Sequence, residues 1–101
     1  MMTKLAARRA ARGAAFLDQK DQTWFEKVDP AKLHMGSNRD CVLGQVYGEF
    51  THGLRESGLR GSTWEAIRFG FFVGFLPGVS FRLREAWKRE IASRRALARA
   101  V

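Results

Sequence analysis

The chain of 101 residues is poor in several things at once, and each shortage excludes a class. It has one cysteine, Cys41, so no disulfide can form within it, which fits a reducing compartment. It has only two prolines, and its 46% apolar and 28% charged composition argues against wholesale disorder. It has no long hydrophobic run. The longest apolar stretch, 69–79, is broken by Gly70, Gly74, Pro77 and Gly78, whereas a bilayer-spanning helix needs about 20 residues, so no span is expected. Arg8-Arg9 is followed by no hydrophobic region, and the segment around it holds no serine, which argues against an export signal or a presequence. No G-x-S-x-G elbow, phosphate-binding loop or dinucleotide fingerprint occurs, and the carboxylates are scattered rather than paired. The soft metal donors are His34, Cys41 and His52. On one helix Cys41 and His52 would stand ~16 Å apart, too far to share an ion. The start of a helix would favour a Cys41 thiolate, but Asp40 beside it opposes one, so Cys41 reads as a packed residue. No enzyme activity, metal or cofactor is expected.

What is present is charge, and it is unevenly placed. The net charge is +8. Residues 1–12 contribute +4 through Lys4, Arg8, Arg9 and Arg12, and residues 82–101 contribute +5, while the middle is nearly neutral at −1. Clustered bases speak about partners rather than fold.

The periodicity predicts helices. From Lys4 to about Gln19, Leu5, Arg8, Arg9, Arg12 and Phe16 share one face, with the arginines turned outward. Ala6, Ala7, Ala10, Ala11, Ala14 and Ala15 form the opposite face, suited to close packing on a neighbour. Thr23-Trp24-Phe25-Glu26 has the spacing of a capping box, and Asp29-Pro30 offers a second helix start. From about Asp40 to Ser57, Leu43, Val46, Tyr47, Phe50 and Leu54 form one stripe, closed by a Gly58-Leu59 cap. Gly44 and Gly48, beside that stripe, imply a close approach to another helix. Ser62 to Glu65 is a further capping box, starting a helix that runs to about Val73. Residues 69–76 read equally as a buried helix turn or a short strand. After Pro77-Gly78, Ser80 caps a last helix that buries Leu83, Ala86, Trp87 and Ile91 and carries Arg84, Lys88, Arg95 and Arg99 along one flank. Glu90 and Arg94 pair beyond it, and the final two turns are expected to project. The expected fold is mostly α: one domain, residues 1–101, a small bundle of about four to five helices with projecting basic terminal helices.

Several segments look familiar. Phe16-Leu17-Asp18, Trp24, Lys27-Val28-Asp29, Leu33, the run Cys41-Val42-Leu43-Gly44-Gln45-Val46-Tyr47-Gly48, Gly53-Leu54 and Gly58-Leu59 recur together, as do Gly70-Phe71 and Ala86-Trp87-Lys88-Arg89-Glu90-Ile91 with Arg94-Arg95. The pattern resembles small uncharacterised proteins encoded by phages of actinobacteria, over about two thirds of the chain. The chain departs from it in having Asn38 and Arg39 where many of that group carry a second cysteine, and Phe72 where they carry an aspartate. The resemblance implies an accessory phage protein in the cytoplasm of the bacterial host and supplies no activity.

Three binding readings follow. In the first, Arg8, Arg9, Arg12, Arg84, Lys88, Arg95 and Arg99 hold nucleic-acid phosphates with weak sequence specificity, since no base-reading signature accompanies them. In the second, a helical interaction module captures an acidic host or phage protein, with Phe72, Phe75 and Leu76 as the apolar anchors. The third, a membrane-surface role for the Phe-rich segment, ranks last because polar-face segregation is missing.

Overall fold

The computed structural model describes residues 2–59, 63–72 and 79–100. Their order is a long helix α1 (Met2–Lys20), two 3-10 turns (Trp24–Glu26 and Pro30–Lys32), α2 (Val42–Tyr47), α3 (Phe50–Ser57), α4 (Thr63–Arg68) and a second long helix α5 (Val79–Ala100). The fold is a small helical domain. Among the described residues there is no strand: Phe69 to Phe72 form a turn, and the remainder of the 69–76 segment lies outside them. The capping serine expected at Ser62 also lies outside, and α4 ends at Arg68 rather than near Val73.

The alanine pattern seats α1. Ala6, Ala10, Ala14 and Leu17 are buried with Gly13, while Ala11 and Ala15 face solvent, so the packing stripe is narrower than the alanine face. Small side chains let α5 come close. A Cβ at Gly13 would stand 2.0 Å from the Phe69 carbonyl oxygen and 2.7 Å from the Trp87 ring, which is why this mid-helix position holds glycine. Further along, Asp18 meets Arg94, so α1 and α5 lie side by side in the same direction. The terminal helices therefore form the body rather than project from it. Only the last turn of α5, from Ala96 onward, is fully exposed, because Arg94 and Arg95 tie the preceding turn to α1 and to the loop after it.

The expected face of α5 is the buried one: Leu83, Trp87 and Ile91 are fully enclosed and Ala86 nearly so. Trp87 stacks on Phe71 at 5.5 Å and meets Trp24 edge-on at 5.7 Å. Both indoles satisfy their N–H groups, Trp87 Nε1 donating to the Gly70 carbonyl (2.7 Å) and Trp24 Nε1 to Asp18 Oδ1 (2.8 Å). At roughly 25 cal/mol per Å² over 150–250 Å², each contributes about 4–6 kcal/mol of burial.

The stripe over 40–57 is two helices. Gly48 adopts φ +101°, ending α2, and the Phe50 amide donates to both the Asn38 carbonyl (2.8 Å) and Asn38 Oδ1 (3.0 Å), starting α3 in a new direction. The close approaches are correspondingly redistributed. Gly44 lies against the backbone of Asn38 and Arg39, Gly53 admits Leu43, and Gly48 serves conformation alone. Cys41 caps α2, its Sγ accepting the Gly44 amide at 3.3 Å. The Gly58-Leu59 cap forms as expected: Gly58 is left-handed at φ +92° and the Leu59 amide donates to the Leu54 carbonyl. Asp29 likewise caps Pro30–Lys32 through the Ala31 amide, though the helix stops after one 3-10 turn. The Thr23 capping box does not form. Asp21 Oδ1 instead accepts both the amide and the hydroxyl of Thr23.

Candidate nucleic-acid interface

The basic residues fall into two groups once their guanidinium groups are traced. Arg9 is only 7% exposed. Its Nε donates to the Ile67 carbonyl at 2.6 Å and its Nη2 to the Phe72 carbonyl, closing the turn after α4 onto α1. Burial, and to a lesser degree the neighbouring Arg12, push its pKa below the usual arginine range, yet a guanidinium stays charged. Arg95 behaves similarly, its Nη2 donating to the carbonyls of Phe25 (3.0 Å) and Val28 (2.6 Å). Both were expected on a phosphate-facing surface. Arg9, buried, and Arg95, half-buried, are instead fasteners, holding backbone carbonyls in and just beyond short helices.

Arg94, expected to pair only with Glu90, makes that bond at 2.8 Å and also a bidentate bond to Asp18 across the α1–α5 seam (2.9 and 2.8 Å). The Arg94 hydrogen bonds, with a smaller contribution from Trp24, hold the Asp18 carboxyl below its ordinary range. On the α5 flank, Glu85 stands 3.5 Å from Arg84 and 3.6 Å from Lys88, offsetting one of their two charges. Arg99 is exposed and donates through Nε to the Arg95 carbonyl.

A different arrangement holds on α1. Lys4, Arg8 and Arg12 recur every fourth residue along its exposed face, with exposed Ala11 and Ala15 on the same side of the helix. Arg12 Nη1 donates to the Arg68 carbonyl at 3.1 Å, which brings the end of α4 and the exposed Arg68 to this edge. One turn before Arg68 stands Trp64, 79% exposed. The arrangement therefore unites Arg8 and Arg12 with three residues outside the site expected from the sequence, Lys4, Arg68 and Trp64. The α5 bases are not part of it by any contact described. A guanidinium has five N–H donors, so Arg12 keeps four for a further acceptor.

Of the apolar anchors, Phe72 is half-buried, packed against the core and facing Phe50 at 6.0 Å, so it is not a free anchor. Phe75 and Leu76 lie outside the described residues. Among the described residues, the large apolar side chains that are exposed are Leu5, Trp64, Phe81 and Leu97. Cys41 is buried, and burial raises its thiol pKa. Among the described residues, no three His, Cys, Asp or Glu side chains converge as a metal site, and no helix is long and apolar enough to cross a membrane. Comparison with protein-family profiles, with curated protein sequences and with solved structures finds no match.

Proposed function

We propose that this is a small binding protein, without catalytic function, that holds nucleic-acid backbone with little sequence specificity along the α1–α4 edge. The resemblance to phage accessory proteins fits that role and a bacterial cytoplasm. The observation that carries the reading is the Arg12 to Arg68 carbonyl bond, which makes one surface of bases from two helices. Phosphates reward such a surface through counterion release and need no base-reading side chain. Four bases, Lys4, Arg8, Arg12 and Arg68, are available there, fewer than a count of the terminal arginines implies. Log affinity for duplex DNA should then fall against log salt with a slope of about −3 to −4. A flat dependence, or no binding near 50 mM salt, refutes the reading.

A second reading, capture of an acidic protein, is favoured by the exposure of Leu5, Phe81 and Leu97, at 54%, 62% and 66%. Apolar side chains near a basic face supply affinity while charge steers the encounter. Recovery of a stoichiometric acidic polypeptide from nuclease-treated host lysate, lost in a Leu5→Ser, Phe81→Ser protein, supports it, and recovery unaffected by those substitutions opposes it.

A further inference from the structure

The three tryptophans of the chain are in sharply different places. Trp24 and Trp87 are fully enclosed, and each indole N–H is committed, to Asp18 and to the Gly70 carbonyl. Trp64 leaves 79% of its surface in water. A large amphipathic ring is normally at least half covered, because exposing it forgoes several kcal/mol of burial. On α4 its neighbour one turn on is Arg68, and the carbonyl of Arg68 is the point at which Arg12 fastens α1 to α4. Trp64 is therefore one helical turn from Arg68, on the short helix that Arg12 fastens to the basic face of α1. Glu65, the next residue along, is exposed and already engaged.

We infer that this edge takes single-stranded nucleic acid in preference to duplex, the bases stacking on Trp64 while Arg68, Arg12 and Arg8 follow the phosphates. The inference rests on the nucleic-acid reading above and specifies the form of the ligand. Bases in a duplex are stacked on one another and paired, so their faces are closed to a side chain. In a single strand they are open, and a base on an aromatic ring contributes about 1–3 kcal/mol whatever its identity. Stacking on one ring beside three or four phosphate contacts gives a short site, matching the absence of a base-reading signature.

Intrinsic fluorescence tests this without a label, because Trp64 alone is open to a ligand. Titration with an oligothymidylate of about 16 nucleotides should quench the solvent-exposed part of the emission and leave the buried part unchanged. A duplex of equal length should bind more weakly and quench little. Trp64→Ala should lower oligothymidylate affinity about tenfold and leave duplex affinity within about twofold. The unchanged emission of Trp24 and Trp87 reports that this variant is folded. Equal affinity for both forms, unaltered by Trp64→Ala, overturns the single-strand preference and leaves backbone binding standing. Failure to bind either form removes both. Quenching by polyglutamate equal to that by oligothymidylate overturns stacking, since that polymer offers charge without rings.

Discussion

Replacing Gly13 by alanine should destabilise the protein, against the expectation from helix propensity. In an exposed mid-helix position the change would stabilise by about 1 kcal/mol. Here the added methyl would lie 2.0 Å from the Phe69 carbonyl oxygen and 2.7 Å from Trp87 Cη2 and Cζ2, where ordinary contact begins near 3.4 Å. Neither neighbour yields readily: the first is backbone, and Trp87 is held by its bond to the Gly70 carbonyl and by stacking on Phe71. Relief requires α1 to move from α5 by more than 1 Å, roughly, and such overpacking costs about 3 kcal/mol, the upper end of its usual range. Subtracting the propensity gain leaves a loss of about 2 kcal/mol, or a fall in Tm of roughly 8–16 °C for a domain of this size. Urea unfolding followed by tryptophan emission, together with thermal unfolding by circular dichroism, measures both. Gly48→Ala is the internal comparison. Gly48 has no atom within 4 Å of its added methyl, so its loss of about 1–2 kcal/mol would come from the positive φ alone. A Gly13→Ala protein as stable as the parent, or more so, would refute the close seating of α1 on Trp87.

Arg9→Met should cost about 2–3 kcal/mol, since it removes the charged hydrogen bonds from a buried guanidinium to the Ile67 and Phe72 carbonyls, and should change the salt slope of nucleic-acid binding little once the protein is folded. Arg8→Ala should do the reverse, leaving urea stability within about 0.5 kcal/mol and reducing the slope by about 1. Asp18→Asn should lose about 1 kcal/mol, a figure kept small because the Asp18 side chain is 42% exposed. Its folded pKa is depressed, so the stabilisation is present above the unfolded value near 3.9 and is lost as pH falls through the lower folded value. Urea midpoints of parent and variant should therefore differ at pH 7 and converge as pH falls through the lowered folded pKa, and a constant difference would contradict the pairing. Cys41 should resist a thiol reagent until denaturant is added, and Cys41→Ala should cost about 1–2 kcal/mol through loss of the α2 cap and of packed volume. Rapid labelling of the folded protein would contradict its burial.

Elements whose determinants are local in sequence were legible. The Leu83, Ala86, Trp87, Ile91 face of α5 follows from periodicity, and the Gly58-Leu59 and Asp29-Pro30 caps from residue chemistry within one turn. What escaped depended on competition or on distant atoms. Thr23 loses its capping role because Asp21, two residues earlier, offers a carboxylate to its amide. The 40–57 stripe breaks because Asn38 reaches across to the Phe50 amide and Gly48 can take the positive φ that the turn needs, neither of which a helical period registers. Periodicity also placed Arg9 beside Arg8 and Arg12 on one face, yet the edge of that face is where the turn after α4 arrives. Trp64 was read only as a position within a capping box. Its exposure depends on how α4 lies against α1, which no pattern within six residues encodes.

The arginines show why charge counted along a chain overstates a basic surface. A guanidinium serves equally well to hold a loop carbonyl, a carboxylate across a helix seam or a phosphate outside, and only the third use faces a polyanion. Arg9 and Arg95 take the first use and Arg94 the second. The carbonyls that Arg9 and Arg95 hold, at Ile67, Phe72, Phe25 and Val28, lie in and just beyond short helices, so the fold itself draws these bases inward. Among the bases that remain outside, Lys4, Arg8 and Arg12 on α1 come together with Arg68, where the neighbouring exposed side chains include Leu5, Ala11, Ala15 and Trp64. Substitutions sorted by this division should separate into two groups, one moving the urea midpoint and the other the salt slope. If Arg9→Met and Arg8→Ala instead shifted both quantities together, the distinction between fastening and facing arginines would be wrong.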